Sequence, residues 1–595
     1  MGSTLRGCLG LARLVWRTDP RRMVLSVVLM LGQAVSLPLS APALAALTDA
    51  ALARDPARAV VAGAFVGVLA ITSLTLGHFA YIAYFELGEL NSVEMDRRLI
   101  DLANGSAGLA HHERPEYADR FHVLRQEMNR LGWMGIQAML SILGLGVAIV
   151  LTGILLAGVD RWLLLLPLAA VPPLVAGRYA EVILSRAREE AAGTRRLARH
   201  LFRLATDGGP AKELRVCGLR DELLTRHAAL WKDSSRILDR AERRAAGLRV
   251  LGQLVFAAGY VAATLVVVRD VVTARRGAGD VVLVVTLASQ VNQQVTAAVA
   301  LVQELQRTAS AMNTFHWAAA LVARDEPPAP DLAVPDRIRH GIRLRDVSFT
   351  YPGTDREILG AVDLFLPAGS TVAIVGENGA GKTTLVKLLC RFYEPTTGTL
   401  EVDGSDLRRL PLDSWRSRIA AGFQDFVRFE FLARENVGVG ELASIDSVEA
   451  VTAALERARA TDVVHRLENG LDTPLGISHR DGAQLSGGQW QKLALGRAMM
   501  RETPLLLVLD EPTAALDAEA EHVLFERYAE GARRAALRNG GITVLVSHRF
   551  STVQMADLIL VVEGGSVSEI GTHDQLIGTG GLYAELYGLQ AAAYR

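Results

Sequence analysis

Residues 376–383 read Gly-Glu-Asn-Gly-Ala-Gly-Lys-Thr and match the spacing G-x4-G-K-[ST], directly after the apolar run STVAIVG at 370–376. A strand, a glycine-rich turn and a helix in that order form a cradle for phosphate groups. Backbone N–H groups from Gly376, Glu377, Asn378, Gly379, Ala380 and Gly381 close around the anion, and the helix start at Lys382, Thr383 and Thr384 adds positive partial charge. Lys382 is assigned to the outer phosphates and the Thr383 hydroxyl to a magnesium ion. A second apolar run, PLLLVLDEP at 504–512, ends in Asp510 and Glu511, which places two carboxylates where a strand of an α/β sheet meets its ligand. Asp510 is expected to hold the metal, directly or through water, and Glu511 to polarise the attacking water. The alternative for such a pair is the first turn of a helix. A third run, GITVLVS at 541–547, delivers His548 to the same edge, where it is expected to contact the terminal phosphate although a lone histidine is more often structural.

The stretch QLSGGQWQK, residues 484–492, offers a second set of phosphate-compatible groups in Ser486, Gly487, Gly488 and Gln489, a hundred residues after the first loop. On its own it also reads as a flexible loop or a helix cap. One nucleotide does not need both loops from one chain.

The elements that must position these groups follow from length and composition. At 595 residues the chain exceeds one ordinary domain. Half of it is hydrophobic and mean hydropathy is +0.23, yet 21% is charged, a mixture of an apolar part and a water-soluble part. The net charge of −1 gives no footprint for nucleic acid. Cys8, Cys217 and Cys390 are too scattered for a disulfide frame or a metal cluster.

Apolar runs near 23–47, 57–85, 133–159, 163–183, 247–268 and 281–302 each reach the roughly 20 residues that cross a bilayer. Six spans are therefore expected, the fourth being the weakest because Pro167, Pro172 and Pro173 interrupt it. A cleaved secretory signal is the alternative for the first run, and the five runs after it argue against that. Arginines before the first span and throughout 186–244 place the amino terminus in the cytoplasm. Residues 185–246 hold one proline and are rich in helix formers, so a long helical hairpin is expected, broken at TDGGPAKEL, 206–214. HERPEYADRF, 112–121, takes the corresponding place between the second and third spans. These tips are candidate contact points for a soluble partner, or solvated turns. The prolines and acids of 323–336 mark a linker. The expected organisation is multi-domain: a six-helix transmembrane domain with long cytoplasmic helical extensions at 1–322, a linker at 323–337, and an α/β P-loop ATPase domain at 338–595.

Taken in order, the phosphate loop, LSGGQ, LLLVLDEP, AALD and SHR behind six spans resemble an ATP-binding cassette transporter of the exporter type, over nearly the whole chain. The resemblance implies two cassettes paired head to tail, each ATP lying between one chain's phosphate loop and the other's signature. Two loops then exist because each site takes two chains, with Ser486, Gly487, Gly488 and Gln489 serving the opposite subunit's nucleotide. It further implies that Tyr351 stacks on adenine, that Gln424 touches metal or water and senses the membrane domain, and that Asp517 lies across the interface. By the same match AKELRVCGL and HERPEYADRF are coupling segments. The chain departs from the family at 476–484, where Ile477 and Ser478 stand in place of an acidic residue, and the usual cross-talk contact is in doubt there. The cofactors implied are ATP and Mg2+. No degenerate element is visible, so a homodimer is the simpler expectation, a heterodimer the other.

Polar residues in the last span, Gln290, Asn292, Gln293, Gln294 and Thr296, are expected to face a polar cavity or to bond between helices, and His78, Tyr81, Tyr84 and Glu86 are candidates for the same path. Scarce charge within the spans disfavours a small ion and favours an amphipathic drug, peptide or lipid-like substrate. An ATP-gated channel or regulator, or an importer-like subunit, is the alternative. No leader-peptide processing is expected of this chain. The composition suggests a GC-rich bacterium and hence its cytoplasmic membrane.

Overall fold

The computed structural model describes residues 2–113, 117, 120, 121, 124, 125, 127, 128, 131–169, 171–273, 276–324, 330–511, 530, 531, 533–547 and 549–593. The chain forms two compact units, residues 1–103 with 120–318, and residues 104–119 with 319–595.

The first unit is helical. Helix α1 spans Gly2–Thr18, and α2 spans Pro20–Leu52 behind the cap of Asp19, whose carboxylate accepts from the backbone N–H of Arg21 and Arg22 at 3.0 Å. Proline at the first helical position costs nothing there, because its missing donor would have no intrahelical partner. Next come α3 (Pro56–Asn104), α4 (Ile136–Val159, entered through a π-helical turn at Leu131–Gly135), α5 (Val171–Thr206), α6 (Ala211–Val216), α7 (Arg220–Val272) and α8 (Ala278–Arg324). At 53 residues α7 runs roughly 80 Å at 1.5 Å per residue, far more than a bilayer core. Its amino-terminal half lies against α5 through Ala180, Leu184, Ala187, Ala241 and Ala245, mostly small side chains that let two helices approach closely. The hairpin turns where glycine and proline stop α5, between Thr206 and Ala211, as the sequence indicates.

Five helices among the described residues are long and apolar enough to cross a membrane: Pro20–Leu52, Pro56–Asn104, Leu131–Val159, Arg220–Val272 and Ala278–Ala323. In the stretch expected as the fourth span, a 3-10 turn at Arg161–Leu165 runs directly into helix at Leu166–Ala169, and helix is described again over Val171–Thr206, α5, with residue 170 outside the described residues. Arg178 and Glu181 lie within the first three turns of α5.

The last-span amides also separate. Gln290 and Gln294 are buried between helices, Gln290 donating to the Leu37 carbonyl and Gln294 to the Thr152 hydroxyl, both at 2.9 Å. Asn292 accepts from Gln253 at 2.7 Å, and Gln293 and Thr296 are exposed. Interhelical bonding, rather than a cavity wall, accounts for the two buried amides.

The second unit is layered α/β. Strands β1 (Gly341–Thr350), β2 (Glu357–Pro367), β4 (Thr397–Val402) and β5 (Ser405–Asp406) make an antiparallel sheet in the order β2-β1-β4-β5. A six-stranded sheet, ordered β10-β9-β3-β8-β7-β6, contains β3 (Thr371–Val375), β6 (Ile419–Gly422), β7 (Leu506–Asp510), β8 (Ile542–Val546), β9 (Leu558–Glu563) and β10 (Ser566–Gly571). All but β10 run parallel. Parallel strands are covered on both faces and read as unbroken apolar runs, as β7 and β8 do over their whole length. Because β3, β6, β7 and β8 point the same way, the loops leaving them open at one sheet edge. Helix α9 (Lys382–Leu389) follows β3, while α10 (Val448–Arg457) and α11 (Gly487–Ala498) build a separate core from Val451, Leu455, Trp490 and Leu493.

Segment 104–119 belongs to this unit and not, as the 1–322 boundary implied, to the membrane-spanning one. Leu109 donates its N–H to the Phe392 carbonyl at 3.2 Å, and Arg416 donates to the carbonyl of Ala107.

Candidate functional site

The loop after β3 holds its shape through backbone that only glycine adopts freely. Gly376, Gly379 and Gly381 have φ of 147°, 81° and 109°, and a Cβ at Gly376 would collide with the Val562 carbonyl. Glu377, Asn378 and Gly379 form the exposed rim, while Ala380 is buried. Lys382 is 6% exposed, and its ammonium donates to the carbonyls of Gly376 and Glu377, both at 2.8 Å, which draws the loop around the cation. Burial lowers the Lys382 pKa, and the carboxylates of Glu511 and Asp510 push it back up. Thr383 is exposed, Thr384 buried.

Asp510, the last residue of β7, is 3% exposed. Burial raises its pKa above the usual carboxylate value, the Thr383 hydroxyl bonded to it opposes the rise, and Glu511 and Asp425 add to it. Glu511 takes φ of 48°, an uncommon conformation for a residue with a side chain, and its N–H is held by the Val546 carbonyl at 3.0 Å. That turn carries its carboxylate to Gln424, whose Nε2 donates to Glu511 Oε2 at 2.8 Å. Gln424 follows β6, so side chains 87 residues apart meet because their strands are neighbours. Lys382, Thr383, Asp510, Glu511 and Gln424 are therefore brought together. His548 and Asp517 lie outside the described residues.

Tyr351 is half-buried. Its ring meets Phe349 and Tyr393 edge-on at 4.9 and 5.4 Å, and its hydroxyl lies 3.1 Å from Thr384 Oγ1. Ser486 caps α11, which starts at Gly487. Its hydroxyl accepts from the Gln489 N–H at 3.3 Å and its own N–H donates to Gln489 Oε1 at 2.8 Å. Ser486 and Gly487 are exposed, and a Cβ at Gly487 would meet nothing within 4 Å.

Three features were not legible in the sequence. At the 476–484 turn Glu430 accepts from the Ser478 N–H at 2.8 Å, while its carbonyl meets His479 Nε2 at 2.8 Å. Lys387 reaches Glu113, and Arg416 anchors segment 104–119. Separations of 48, 274 and 309 residues leave no local pattern to read.

Comparison with known proteins bears on the same residues. Residues 359–514 match the family model described as ABC transporter. Curated relatives called ATP-dependent lipid A-core flippase align at 44% identity over 43% of this chain and 42% of the Ralstonia nicotianae protein, and at 38% over 48% of this chain and 47% of the Thiobacillus denitrificans protein. The chain thus spans less than half the length of the curated relatives it matches. A solved structure, described as a bacterial Atm1-family ABC exporter with ATP bound, superposes with a TM-score of 0.76 at 24% identity, covering 96% of this chain and 99% of the other. Residues 359–514 thus match the ABC transporter family, and the chain as a whole shares the fold of that solved exporter structure.

Proposed function

We propose that this chain is one half of a dimeric, ATP-driven exporter that moves an amphipathic, lipid-like molecule across the bacterial cytoplasmic membrane, with its amino terminus and cassette in the cytoplasm. The observation that carries this reading is the meeting of Lys382, Thr383, Asp510, Glu511 and Gln424 at one sheet edge, in a chain whose described residues include five helices fit to cross a membrane.

ATP is the reactant. Its phosphates are taken by the backbone of 376–381 and by Lys382 and Thr384, its adenine by Tyr351, and its terminal phosphate by His548. The Thr383 hydroxyl bonded to the Asp510 carboxylate, beside the Glu511-bound amide of Gln424, is an oxygen-donor set that suits a hard divalent cation. Thr383, Gln424 and Asp510 would hold Mg2+, which when bound offsets the negative charge on the phosphates. Glu511 accepts the proton of the attacking water, and the bond from Gln424 fixes which carboxylate oxygen faces the reaction.

The exposed cap at Ser486, with Gly487 open beside it and Gly488 next in the chain, suits a phosphate presented by a second chain, and Asp517 is assigned to the interface between the two. Moving a two-state equilibrium from 1:99 to 99:1 takes about 5.5 kcal/mol of differential binding, which two nucleotides shared between two cassettes supply together. The names of the relatives support a lipid-like substrate, as do the aromatic side chains on α3, where Tyr81 packs on Tyr84 and Phe85, and Phe85 on Trp133.

The test is ATP-dependent movement of a headgroup-labelled lipid in proteoliposomes holding the wild-type chain, with Glu511→Gln as control. Flux that persists without ATP, or equally in the variant, overturns the reading in favour of a gated channel.

A further inference from the structure

The parallel strands β7 and β8 end at the nucleotide edge in Asp510 and Val546, and at their opposite ends, beside Leu507 and Ile542, a cleft opens that no motif above uses. Four guanidinium groups line it, those of Arg457 at the end of α10, Arg501, Arg534 and Arg538. The last two stand four residues apart in a helical stretch described at 530, 531 and 533–539, so they share one side of the helix and repel each other. Burial lowers the Arg457 pKa, Glu502 opposes that, and the like charge of Arg534 adds to it. The carboxyl end of a helix accommodates cations, but Arg457 comes from a different helix.

Carboxylates offset only two of the four charges. Arg457 pairs with Glu502 at 3.3 Å, and Arg501 pairs with Glu441 at 2.9 Å. Arg534 and Arg538 are exposed and have no hydrogen bond or ion pair among the described residues. The walls are fixed by their own hydrogen bonds. Asn539 Nδ2 donates to the Thr503 carbonyl at 2.7 Å and its Oδ1 accepts from the Gly541 N–H at 3.1 Å, which ties the helix end to the approach of both strands. Arg457 donates to the Met499 carbonyl through Nε and Nη2 at 3.2 and 2.8 Å.

We propose that this cleft is a second anion site of the cassette, taking a small, multiply charged phosphate ligand through Arg534 and Arg538 beside Arg457. A guanidinium fork pairs with two phosphate oxygens at once, and a rigid wall lowers the ordering cost of binding. Glu502 lies in the same cleft, so a singly charged anion gains little there and a diphosphate gains more. The five residues of β7 separate the cleft from Asp510 by roughly 13 Å at about 3.3 Å per residue, so both sites can be filled together.

Full-length protein in nanodiscs, holding Mg2+ and a saturating non-hydrolysable ATP analogue, is titrated with radiolabelled pyrophosphate at constant ionic strength. One pyrophosphate per chain is expected to bind while the analogue stays in place. Arg534→Gln and Arg538→Gln are each expected to weaken binding about tenfold or more, as loss of a charge-assisted hydrogen bond does, and Arg534→Lys to fall between. Arg533→Gln removes the same charge from the same helix outside the cleft, and is expected to change affinity by no more than about twofold because exposed charge is screened. Displacement of pyrophosphate by a short-chain phosphatidic acid supports the site with a lipid headgroup as its ligand, and no displacement supports it with a soluble diphosphate. Four results each overturn the proposal: no binding by the wild type, equal weakening by Arg533→Gln, release of the ATP analogue as pyrophosphate binds, or undiminished binding by an Arg534→Gln, Arg538→Gln double variant with wild-type thermal midpoint.

Discussion

Gln424 Nε2 donates to Glu511 Oε2 at 2.8 Å, so the amide after β6 fixes the carboxylate after β7. A hydrogen bond to a charged group contributes about 1.5–3 kcal/mol. Gln424→Ala is therefore expected to lower kcat about 10- to 100-fold with a smaller change in KM for ATP, because the amide orients the base as well as serving the Mg2+ site. Steady-state kinetics of the purified variant check this; a rise in KM at constant kcat would assign Gln424 to binding instead.

Glu511→Gln keeps the shape of the side chain and removes its basicity. Turnover is expected to fall by about 10²–10⁴-fold, the usual contribution of a general base. Nucleotide stays bound, so trapping of radiolabelled ATP after gel filtration is the readout. Wild-type hydrolysis would falsify the assignment of Glu511.

Shared sites make a prediction by mixing. Ser486→Arg and Lys382→Ala are each expected to be inactive as homodimers. Co-expressed and purified through two different tags, the mixed dimer regains one whole site, joining Lys382 of one chain to Ser486 of the other. ATPase activity in the mixed dimer above both parents is the expected result, and none is expected if each site is built from a single chain.

The glycines of the phosphate loop differ in what surrounds them. A Cβ at Gly376 meets the Val562 carbonyl of β9, whereas at Gly379 it meets nothing within 4 Å. Gly379→Ala carries only the strain of a positive φ, about 1 kcal/mol, while Gly376→Ala must also shift the β3–β9 pairing. Thermal unfolding is expected to show a clearly larger loss at 376, together with loss of nucleotide binding.

Within the last membrane helix, Gln294→Leu removes the partner of the buried Thr152 hydroxyl and is expected to cost about 0.6–1.7 kcal/mol of stability in detergent unfolding assays. Gln293→Leu, one residue earlier and exposed, is expected to leave stability unchanged and to alter the response of the ATPase to lipid. Equal effects on stability at the two positions would contradict the helix orientation described above.

The groups that act on phosphate were readable because their mechanics are local. A glycine loop needs a strand before it and a helix after it, and an acid pair at the end of an apolar run marks the edge of a parallel sheet; both signals lie within about ten residues. Five of the expected spans declared themselves by length and hydropathy among the described residues. Only the tertiary structure decided which side chains meet across hundreds of residues: Gln424 with Glu511, Glu430 with the 476–479 turn, and Lys387 with Glu113. Strand order and the docking of segment 104–119 make those encounters. They are set by burying whole apolar faces, a property of the assembled sheet and helices that no short window of residues encodes.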